Sequence, residues 1–339
     1  MSMLIEYVWD GCLKDMRQED ILCLDVINIA FGHIKKQRVV WEHPECKESI
    51  VRIRQINPKI KILLSVGGWS AGGFSEIAST KDGRETFAED ALALVEEYDL
   101  NGIDIDWEYP CLSVAGIGAE PQDKVNFTLL LKEIREAFEE KEKGRYLLTI
   151  AAGGDTYFVR NTQMKEAAEY LDYVQLMTYD LRGGFQVLTG HHTSLYATSA
   201  DLFDACADKA VREFHAAGVP MEKIVIGAAF YGRQWDGVPD VKHGLCQMAK
   251  TTGGFGKHYG ELVENYIGKN GFVRYWDDEA KAPWLFDGSS FITYDDKESL
   301  GCKIEYVKQM GLAGIMCWEY SNDTTHTLTI HMRTELDKE

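Results

Sequence analysis

Three acidic residues stand at every second position in the segment Asn101–Pro110, which reads Asn-Gly-Ile-Asp-Ile-Asp-Trp-Glu-Tyr-Pro. Alternate side chains of a β-strand point to opposite faces, so Asp104, Asp106 and Glu108 share one face and the intervening apolar residues share the other. Three like charges on one face of a core strand are costly unless they share protons or serve a ligand. The pattern therefore indicates general acid chemistry, with Glu108 at the carboxyl end of the strand.

Polar and aromatic residues also stand at the ends of four other predicted strands. Aromatic rings suit stacking against sugar rings, whose faces are apolar and whose edges carry hydroxyls. Taken singly, Trp69 and Trp318 could equally plug a barrel end, Met177 is more typical of a core, and Arg233 of a charged surface. Because these residues would converge on one end of one barrel, a functional role is favoured over a purely structural one for the set. The segments are Ser65–Trp69, Gln175–Asp180, Phe230–Arg233 and Met316–Tyr320.

Eight short apolar runs alternate with amphipathic stretches along the chain. The clearest helical pattern is Lys124–Glu142, and Glu85–Tyr98, Leu202–Ala217 and Lys297–Met310 are similar. This alternation predicts an α/β fold, a (β/α)8 TIM barrel rather than an open doubly wound sheet. The predicted strands are Leu4–Val8, Val26–Phe31, Ile60–Val66, Gly102–Trp107, Leu147–Ala152, Tyr173–Tyr179, Ile224–Phe230 and Gly314–Trp318.

The interval between the seventh and eighth predicted strands is too long for one helix. Its excess is rich in glycine and aromatic residues, and a structureless loop of that length is improbable in a folded domain. We expect residues 237–290 to form a small inserted α+β subdomain at the carboxyl end of the barrel. Residues 1–236 and 291–339 would then form the catalytic barrel.

The composition excludes several classes of protein. The chain has 339 residues and a formal net charge of −18, which disfavours a nucleic acid partner because phosphate binding needs clustered Lys and Arg. The longest apolar runs are only as long as strands, so we expect no membrane association. The adjacent pair His191 and His192 is more typical of a polar loop than of a site, and no histidine pair has metal-ligand spacing. We therefore expect no metal ion and no cofactor.

The N-terminal segment does not resemble a signal peptide, because Glu6 and Asp10 interrupt it and it lacks a basic start. We expect a cytoplasmic protein, or a secreted one whose signal peptide has been removed from this sequence. We also expect a monomer.

The motifs resemble those of family 18 glycoside hydrolases, the chitinases. The segment Asn101–Glu108 is similar to the family's Asp-Gly-x-Asp-x-Asp-Trp-Glu signature and departs from it only at Asn101, outside the three acids. The resemblance extends from Tyr7 to about Asp323, and residues 237–290 look like the family's chitinase insertion domain. Further matching segments are Ser65–Trp69, Met177–Asp180, Tyr231–Arg233, Tyr275–Asp278 and Trp318–Ser321.

The resemblance implies retaining hydrolysis of β-1,4-linked N-acetylglucosamine, in which the acetamido group of the substrate is the nucleophile. Glu108 would donate a proton to the glycosidic oxygen and then activate water. Asp106 would hold the acetamido N–H and stabilise the cationic intermediate, and Asp104 would share a proton with Asp106. Tyr179 would orient the acetamido oxygen, and Asp180 would position the distorted sugar. Nearby acids would raise the pKa of Glu108.

The same resemblance implies a set of residues that bind the substrate. Trp318 would form the floor beneath the reacting sugar, Arg233 would bind hydroxyls or Asp180, and Trp69 and Tyr7 would line further subsites. The resemblance also places Met177, Tyr231 and Gly68, which stand at predicted strand ends, next to the substrate.

Three functions remain open on the sequence alone. The first is a chitinase acting on chitin or chitooligosaccharides. The second is an N-acetylglucosaminidase acting on peptidoglycan or on the core of N-glycans, because the same chemistry serves it. The third is a chitin-binding lectin without activity, and the complete set Asp104, Asp106, Glu108 and Tyr179 argues against it.

Overall fold

The computed structural model describes residues 2–338, and its strands form two sheets. The strands are β1 (Met3–Trp9), β2 (Val26–Lys35), β3 (Arg38–Val40), β4 (Lys61–Gly67), β5 (Gly102–Asp106), β6 (Leu147–Gly153), β7 (Tyr173–Met177), β8 (Ile224–Ala229), β9 (Tyr231–Asp236), β10 (Gly254–His258), β11 (Val273–Asp277), β12 (Ala282–Phe286), β13 (Ser290–Thr293) and β14 (Gly314–Trp318).

The first sheet is a closed barrel of parallel strands in the order β1, β14, β8, β7, β6, β5, β4, β2, and the pairing of β1 with β2 closes it. Short β3 adds antiparallel to the far end of β2. The predicted (β/α)8 TIM barrel is confirmed, and each of its eight strands coincides with an apolar run. These runs are continuous rather than alternating because both faces of a parallel sheet are covered, the inner by side chains and the outer by helices.

Helices surround the barrel and bury one apolar stripe each. In α5, for example, Phe127, Leu131 and Ile134 are buried against the outer face. Helix α10 begins with a capping box on Asp296 and ends at Gly311, whose φ of 65° is the left-handed conformation that glycine adopts most easily. The helices are α1 (Gln18–Cys23), α2 (Cys46–Ile56), α3 (Phe74–Ala78), α4 (Lys81–Glu97), α5 (Asp123–Lys141), α6 (Thr156–Arg160), α7 (Met164–Ala167), α8 (Ala207–Ala216), α9 (Tyr259–Asn265), α10 (Lys297–Met310) and α11 (Leu328–Asp337).

The second sheet is antiparallel, follows the seventh barrel strand β8, and runs in the order β10, β9, β13, β12, β11. Helix α9 lies between β10 and β11 in the chain. The sheet begins at Tyr231 and ends at Thr293, so it extends beyond both ends of the expected segment 237–290. The apolar run of β8 continues into β9 without a break, and periodicity alone does not show where parallel pairing gives way to antiparallel pairing.

Within residues 2–338, no helix has the length and apolar character needed to cross a membrane.

Candidate active site

The acids of β5 and the residue two positions beyond it lie at the carboxyl end of the barrel. Asp104, Asp106 and Glu108 are all buried. Trp107 points the other way and stacks on Phe74 of α3, with ring centroids 5.2 Å apart. The alternation expected from the sequence is therefore present: the acids of the strand face inward and the tryptophan packs in the outer layer.

Asp104 is held by four hydrogen bonds, two on each carboxylate oxygen. Oδ2 accepts from the hydroxyls of Tyr7 at 2.8 Å and Ser65 at 2.7 Å. Oδ1 accepts from the hydroxyl of Thr149 at 2.7 Å and from the amide of Gln175 at 2.9 Å. These donors belong to β1, β4, β6 and β7, so four strands fix one side chain. Burial raises the pKa of Asp104, although the hydrogen bonds lower it in part.

The structure differs here from the role that the resemblance implied for Asp104. A carboxylate offers about four acceptor positions, and all four are occupied. Among the described residues no hydrogen bond joins Asp104 to Asp106, so the structure shows no proton shared between them. In this state Asp104 is a fixed polar anchor at the centre of the barrel.

Asp106 is the opposite case. Its Oδ1 atom is buried and has no hydrogen-bond partner within residues 2–338. Burial, followed by the charges of Glu108 and Asp104, raises the pKa of Asp106 well above its usual range. A buried carboxyl oxygen without a partner is costly unless a ligand supplies one. The site therefore has an unused hydrogen-bonding group directly beside its acid.

Glu108 has the pKa of a general acid. Burial raises it from 4.5 to about 7, and the charge of Asp180 adds to the rise. We expected neighbouring acids to raise the pKa of Glu108, and Asp180 does so, but removal from water is the larger cause. A carboxylic acid that is half protonated near neutral pH can both donate and accept a proton in one catalytic cycle.

Tyr179 follows β7 and lies beside the acids. Its hydroxyl lies 3.9 Å from the Sδ of Met316, and burial raises its pKa well above the usual range, so it remains a proton donor. Gly227 makes room for it, because a Cβ there would lie 2.8 Å from the Tyr179 ring. Half-buried Met177 and buried Tyr231 pack with it in one cluster.

Asp180 is paired with Arg233 of β9. The arginine Nε lies 2.6 Å from Oδ1 and a terminal nitrogen lies 2.6 Å from Oδ2, so both carboxylate oxygens are engaged. Burial would raise the pKa of Asp180, but the contacts with His192 and Arg233 outweigh it and hold the pKa well below its usual range. The guanidinium also lies 3.9 Å from the ring centre of Phe255. The insertion thus contributes an arginine to the site.

Trp318 forms part of an aromatic cluster at the end of β14. It stacks on Phe31, with ring centroids 5.6 Å apart and planes inclined by 22°, and it contacts Trp9 and Tyr7 edge-on or tilted. Trp318 is half-buried, and Trp9 is exposed. These rings form an apolar floor with one accessible side, which suits the face of a sugar ring.

Gly68 has a structural task at the end of β4. Its φ is 94°, and a Cβ there would lie 2.8 Å from the ring of Phe31. The preceding Gly67 has a φ of 125°, and a Cβ would lie 2.0 Å from the carbonyl oxygen of Asp106. The two glycines allow the backbone to approach both the aromatic floor and the acid strand.

The next residue, Trp69, is half exposed, and its ring lies 6.4 Å from Tyr109 and 6.5 Å from Phe185. Phe185 is exposed and lies in the loop after β7. The exposed rings of Trp69 and Phe185, with partly buried Tyr109 beside Trp69, therefore line one side of the site and suit stacking against further sugars.

The structure brings together all the residues that the sequence singled out, with one change of place. Tyr7 was expected to line an outer subsite, but it is 1% exposed and its hydroxyl binds Asp104, so it supports the acid strand instead.

The sequence interpretation missed other residues of the site. Trp9 and Phe31 end apolar runs and carried the same signal as Trp318. Phe185 and Phe255 are isolated loop aromatics without a distinguishing pattern. His191 and His192 lie in a loop, as expected, but both are buried and paired: His191 binds Asp277 at 3.1 Å and His192 contacts Asp180.

Among residues 2–338, no group of three or more His, Cys, Asp and Glu side chains is arranged to hold a metal ion.

Comparison with known proteins shows the same pattern over nearly the whole chain. The family model for glycosyl hydrolases family 18 matches residues 15–323. Chitinase A1 of Niallia circulans is 38% identical over 87% of this chain and 46% of its own length. Chitotriosidase-1 of Mus musculus is 30% identical over 88% of this chain and 66% of its own length. The chain thus spans about half to two thirds of the length of these relatives.

Two solved structures are also similar. One is described as a glycoside hydrolase family 18 N-acetylglucosaminidase from Paenibacillus barengoltzii, with a TM-score of 0.97, 53% identity, and coverage of 99% of this chain and 100% of that chain. The other is chitinase ChiW from Paenibacillus sp. str. FPU-7, with a TM-score of 0.93, 38% identity, and coverage of 100% of this chain and 43% of that chain.

Proposed function

The chain belongs to glycosyl hydrolase family 18, and on that basis we propose that it hydrolyses β-1,4 linkages between N-acetylglucosamine units of chitin or chitooligosaccharides. The observation that carries this proposal is the arrangement at the carboxyl end of β5. A buried glutamic acid with a pKa of about 7 stands two residues from a buried carboxyl whose Oδ1 has no hydrogen-bond partner among residues 2–338. Such a pair provides a proton donor and a docking group, and it does not require a protein nucleophile.

In the proposed mechanism, Glu108 protonates the glycosidic oxygen while the acetamido oxygen of the same sugar attacks the anomeric carbon. The C–O bond to the leaving sugar breaks, and a cyclic oxazolinium ion forms. Deprotonated Glu108 then takes a proton from water while the water oxygen bonds to the anomeric carbon. The bond from that carbon to the acetamido oxygen breaks, so the acetamido group is restored and the configuration is retained overall. This route is an exception to hydrolysis by two protein carboxylates.

Asp106 would receive the acetamido N–H on its unpartnered Oδ1 and stabilise positive charge on the oxazolinium nitrogen. For the second task it must be ionised, and binding of an N–H donor lowers the raised pKa of Asp106 in the direction required. Tyr179 remains protonated and can donate to the acetamido group. Asp104, with its four hydrogen bonds, would keep the strand in register during this exchange.

The substrate would lie across the aromatic floor of Trp318 and Phe31, with Trp69 and Phe185 contacting sugars farther along the chain. Arg233 would act through Asp180, to which it is bound, rather than through sugar hydroxyls. Because the aromatic surface extends beyond one sugar, a soluble oligosaccharide of several units is the proposed substrate. We propose a monomer, in the cytoplasm or outside the cell.

A second candidate is an N-acetylglucosaminidase that removes single sugars. It is favoured by the 53% identity and full coverage of the similar structure described by that name. The two candidates share every residue of the mechanism, so they differ in product and not in chemistry. A lectin without activity is disfavoured, because the three acids and Tyr179 are all in place.

The test is a product profile on N-acetylglucosamine oligomers of four to six units and on peptidoglycan. Early release of dimers and trimers from the oligomers supports the chitinase, and release of the monomer alone supports the N-acetylglucosaminidase. Intact oligomers together with tight binding would support the lectin and overturn the proposal.

A further inference from the structure

His192 lies in the loop after β7 and is fully enclosed, with 0% of its surface exposed. Its backbone carbonyl accepts the N–H of Leu181 at 3.1 Å, and its own N–H lies 3.3 Å from the hydroxyl of Thr293 on β13. The ring packs against the Tyr231 ring at 5.2 Å. Contacts from both the barrel loop and the insertion therefore fix the position of the imidazole.

The ring nitrogens of His192 have different environments. Nδ1 lies 3.4 Å from the backbone nitrogen of Asp180, which is always a donor, so Nδ1 must offer a lone pair there. Asp180 Oδ1 lies 3.5 Å from the same Nδ1 and also accepts from the Nε of Arg233 at 2.6 Å. Nε2 is buried without a partner among the described residues. Burial lowers the pKa of His192, which favours the neutral ring. If Nδ1 accepts the backbone N–H of Asp180, the ring proton is on Nε2.

Asp180 needs this support because its backbone is unusual. Its φ is 57°, a left-handed conformation that a residue with a side chain rarely adopts. Arg233 engages both oxygens of its carboxylate but does not contact its backbone. A second contact, at the backbone N–H, is what keeps the peptide between Tyr179 and Asp180 in place.

We propose that His192 is a positioning residue for the reaction: its Nδ1 accepts the backbone N–H of Asp180 and thereby fixes Asp180 and the adjoining Tyr179 against the bound sugar. This inference rests on the proposed function, since Tyr179 and Asp180 act on the substrate there. Arg233 and His192 divide the work, with Arg233 holding the carboxylate and His192 holding the backbone.

Two near-isosteric substitutions separate the ring nitrogens. The amide oxygen of His192→Asn can occupy the place of Nδ1, whereas that of His192→Gln reaches the place of Nε2. We expect the asparagine variant to keep at least a third of the wild-type kcat on chitotetraose. The glutamine variant should lose at least tenfold in kcat, with KM changed less than threefold, because orientation in the transition state is lost while ring stacking remains. The reverse ranking, or equal effects of both substitutions, would overturn the proposal.

A double-variant comparison gives a second test that does not depend on the glutamine variant. Because Asp180→Asn keeps the backbone N–H that His192 holds, His192→Ala should lower kcat by a similar factor, at least tenfold, in the wild type and in Asp180→Asn. An effect below twofold in the Asp180→Asn background would mean that His192 acts on the carboxylate and would contradict the proposal. So would an asparagine variant that fails to fold, because an acceptor at Nδ1 would then not suffice. If the wild type itself leaves the oligosaccharide intact, the proposed function has failed instead.

Discussion

Replacement of Glu108 by glutamine tests the proposed general acid directly. The amide keeps the shape and polarity of the protonated acid, and Glu108 is largely protonated below its pKa of about 7, so the folded site and oligosaccharide binding should change little. What disappears is the transferable proton. Loss of general acid catalysis typically costs 10²- to 10⁴-fold in rate, or roughly 3 to 5 kcal/mol in the activation barrier.

The pKa of Glu108 also sets the pH dependence of the wild type. The acid must be protonated, so about nine-tenths of the enzyme is competent at pH 6 and about one-tenth at pH 8. We therefore expect kcat to fall about tenfold per pH unit above pH 7, and the residual activity of Glu108→Gln to lack this limb. The assay is the rate of appearance of reducing ends from chitopentaose between pH 5 and 9, with binding followed by titration calorimetry.

Glu6→Gln is the matched control. Glu6 is another fully buried glutamate, and burial raises its pKa to about 8. Its carboxyl group accepts a hydrogen bond from Thr329 in the helix layer and lies outside the site. The control should retain wild-type kcat within about twofold. The acid role of Glu108 is refuted if Glu108→Gln keeps more than about a tenth of wild-type turnover on a sugar leaving group, since the expected loss is at least 10²-fold.

Three further predictions concern the nucleophile, the ions and the core. Partially deacetylated chitosan should be cleaved only where an N-acetyl sugar occupies the reacting position. Sequencing of the new reducing ends checks this cleavage pattern, and abundant glucosamine there would mean another nucleophile. Asp106→Asn should lose at least about 10²-fold in kcat. Activity should survive exhaustive chelation. If chelation abolished activity and a divalent cation restored it, the mechanism would need a metal and the prediction would be wrong. Because the folded-state pKa of Glu6 lies above its usual 4.5, the folded protein binds more protons than the unfolded one between about pH 4.5 and 8, so stability falls as pH rises through this window. Chemical unfolding of Glu6→Gln should show a stability gain above pH 8, on the order of 5 kcal/mol at 1.36 kcal/mol per pKa unit, and no gain at pH 4.5. An equal gain at both pH values would point to packing instead.

Some features of the site were predictable because they are local. The alternation of Asp104, Asp106 and Glu108 follows from the period of a strand, and any strand with these residues places its acids on one face. Likewise, each apolar run became a barrel strand, because a parallel sheet covered by helices buries such runs on both faces. The helix Lys297–Met310 begins and ends at the residues expected, since Gly311 terminates it.

Other features depended on residues that are distant in the chain. The four donors around Asp104 come from Tyr7, Ser65, Thr149 and Gln175, on four different strands, so no local pattern relates them. For the same reason, the pKa values of the acids in the site could not be predicted from the sequence. The high pKa of Asp106 depends on burial without a partner, and burial is a property of the packed barrel.

By itself, then, the sequence determined the strand that carries the acids, the barrel that presents them and the family resemblance, because each follows from short-range period and residue type. Only the tertiary structure decided that Tyr7 supports Asp104 rather than a sugar, that Arg233 is committed to Asp180, and that His192 is buried beside that same residue. Those assignments depend on which side chains meet across the barrel and the insertion. Such meetings are fixed by the closure of the sheet and not by spacing along the chain.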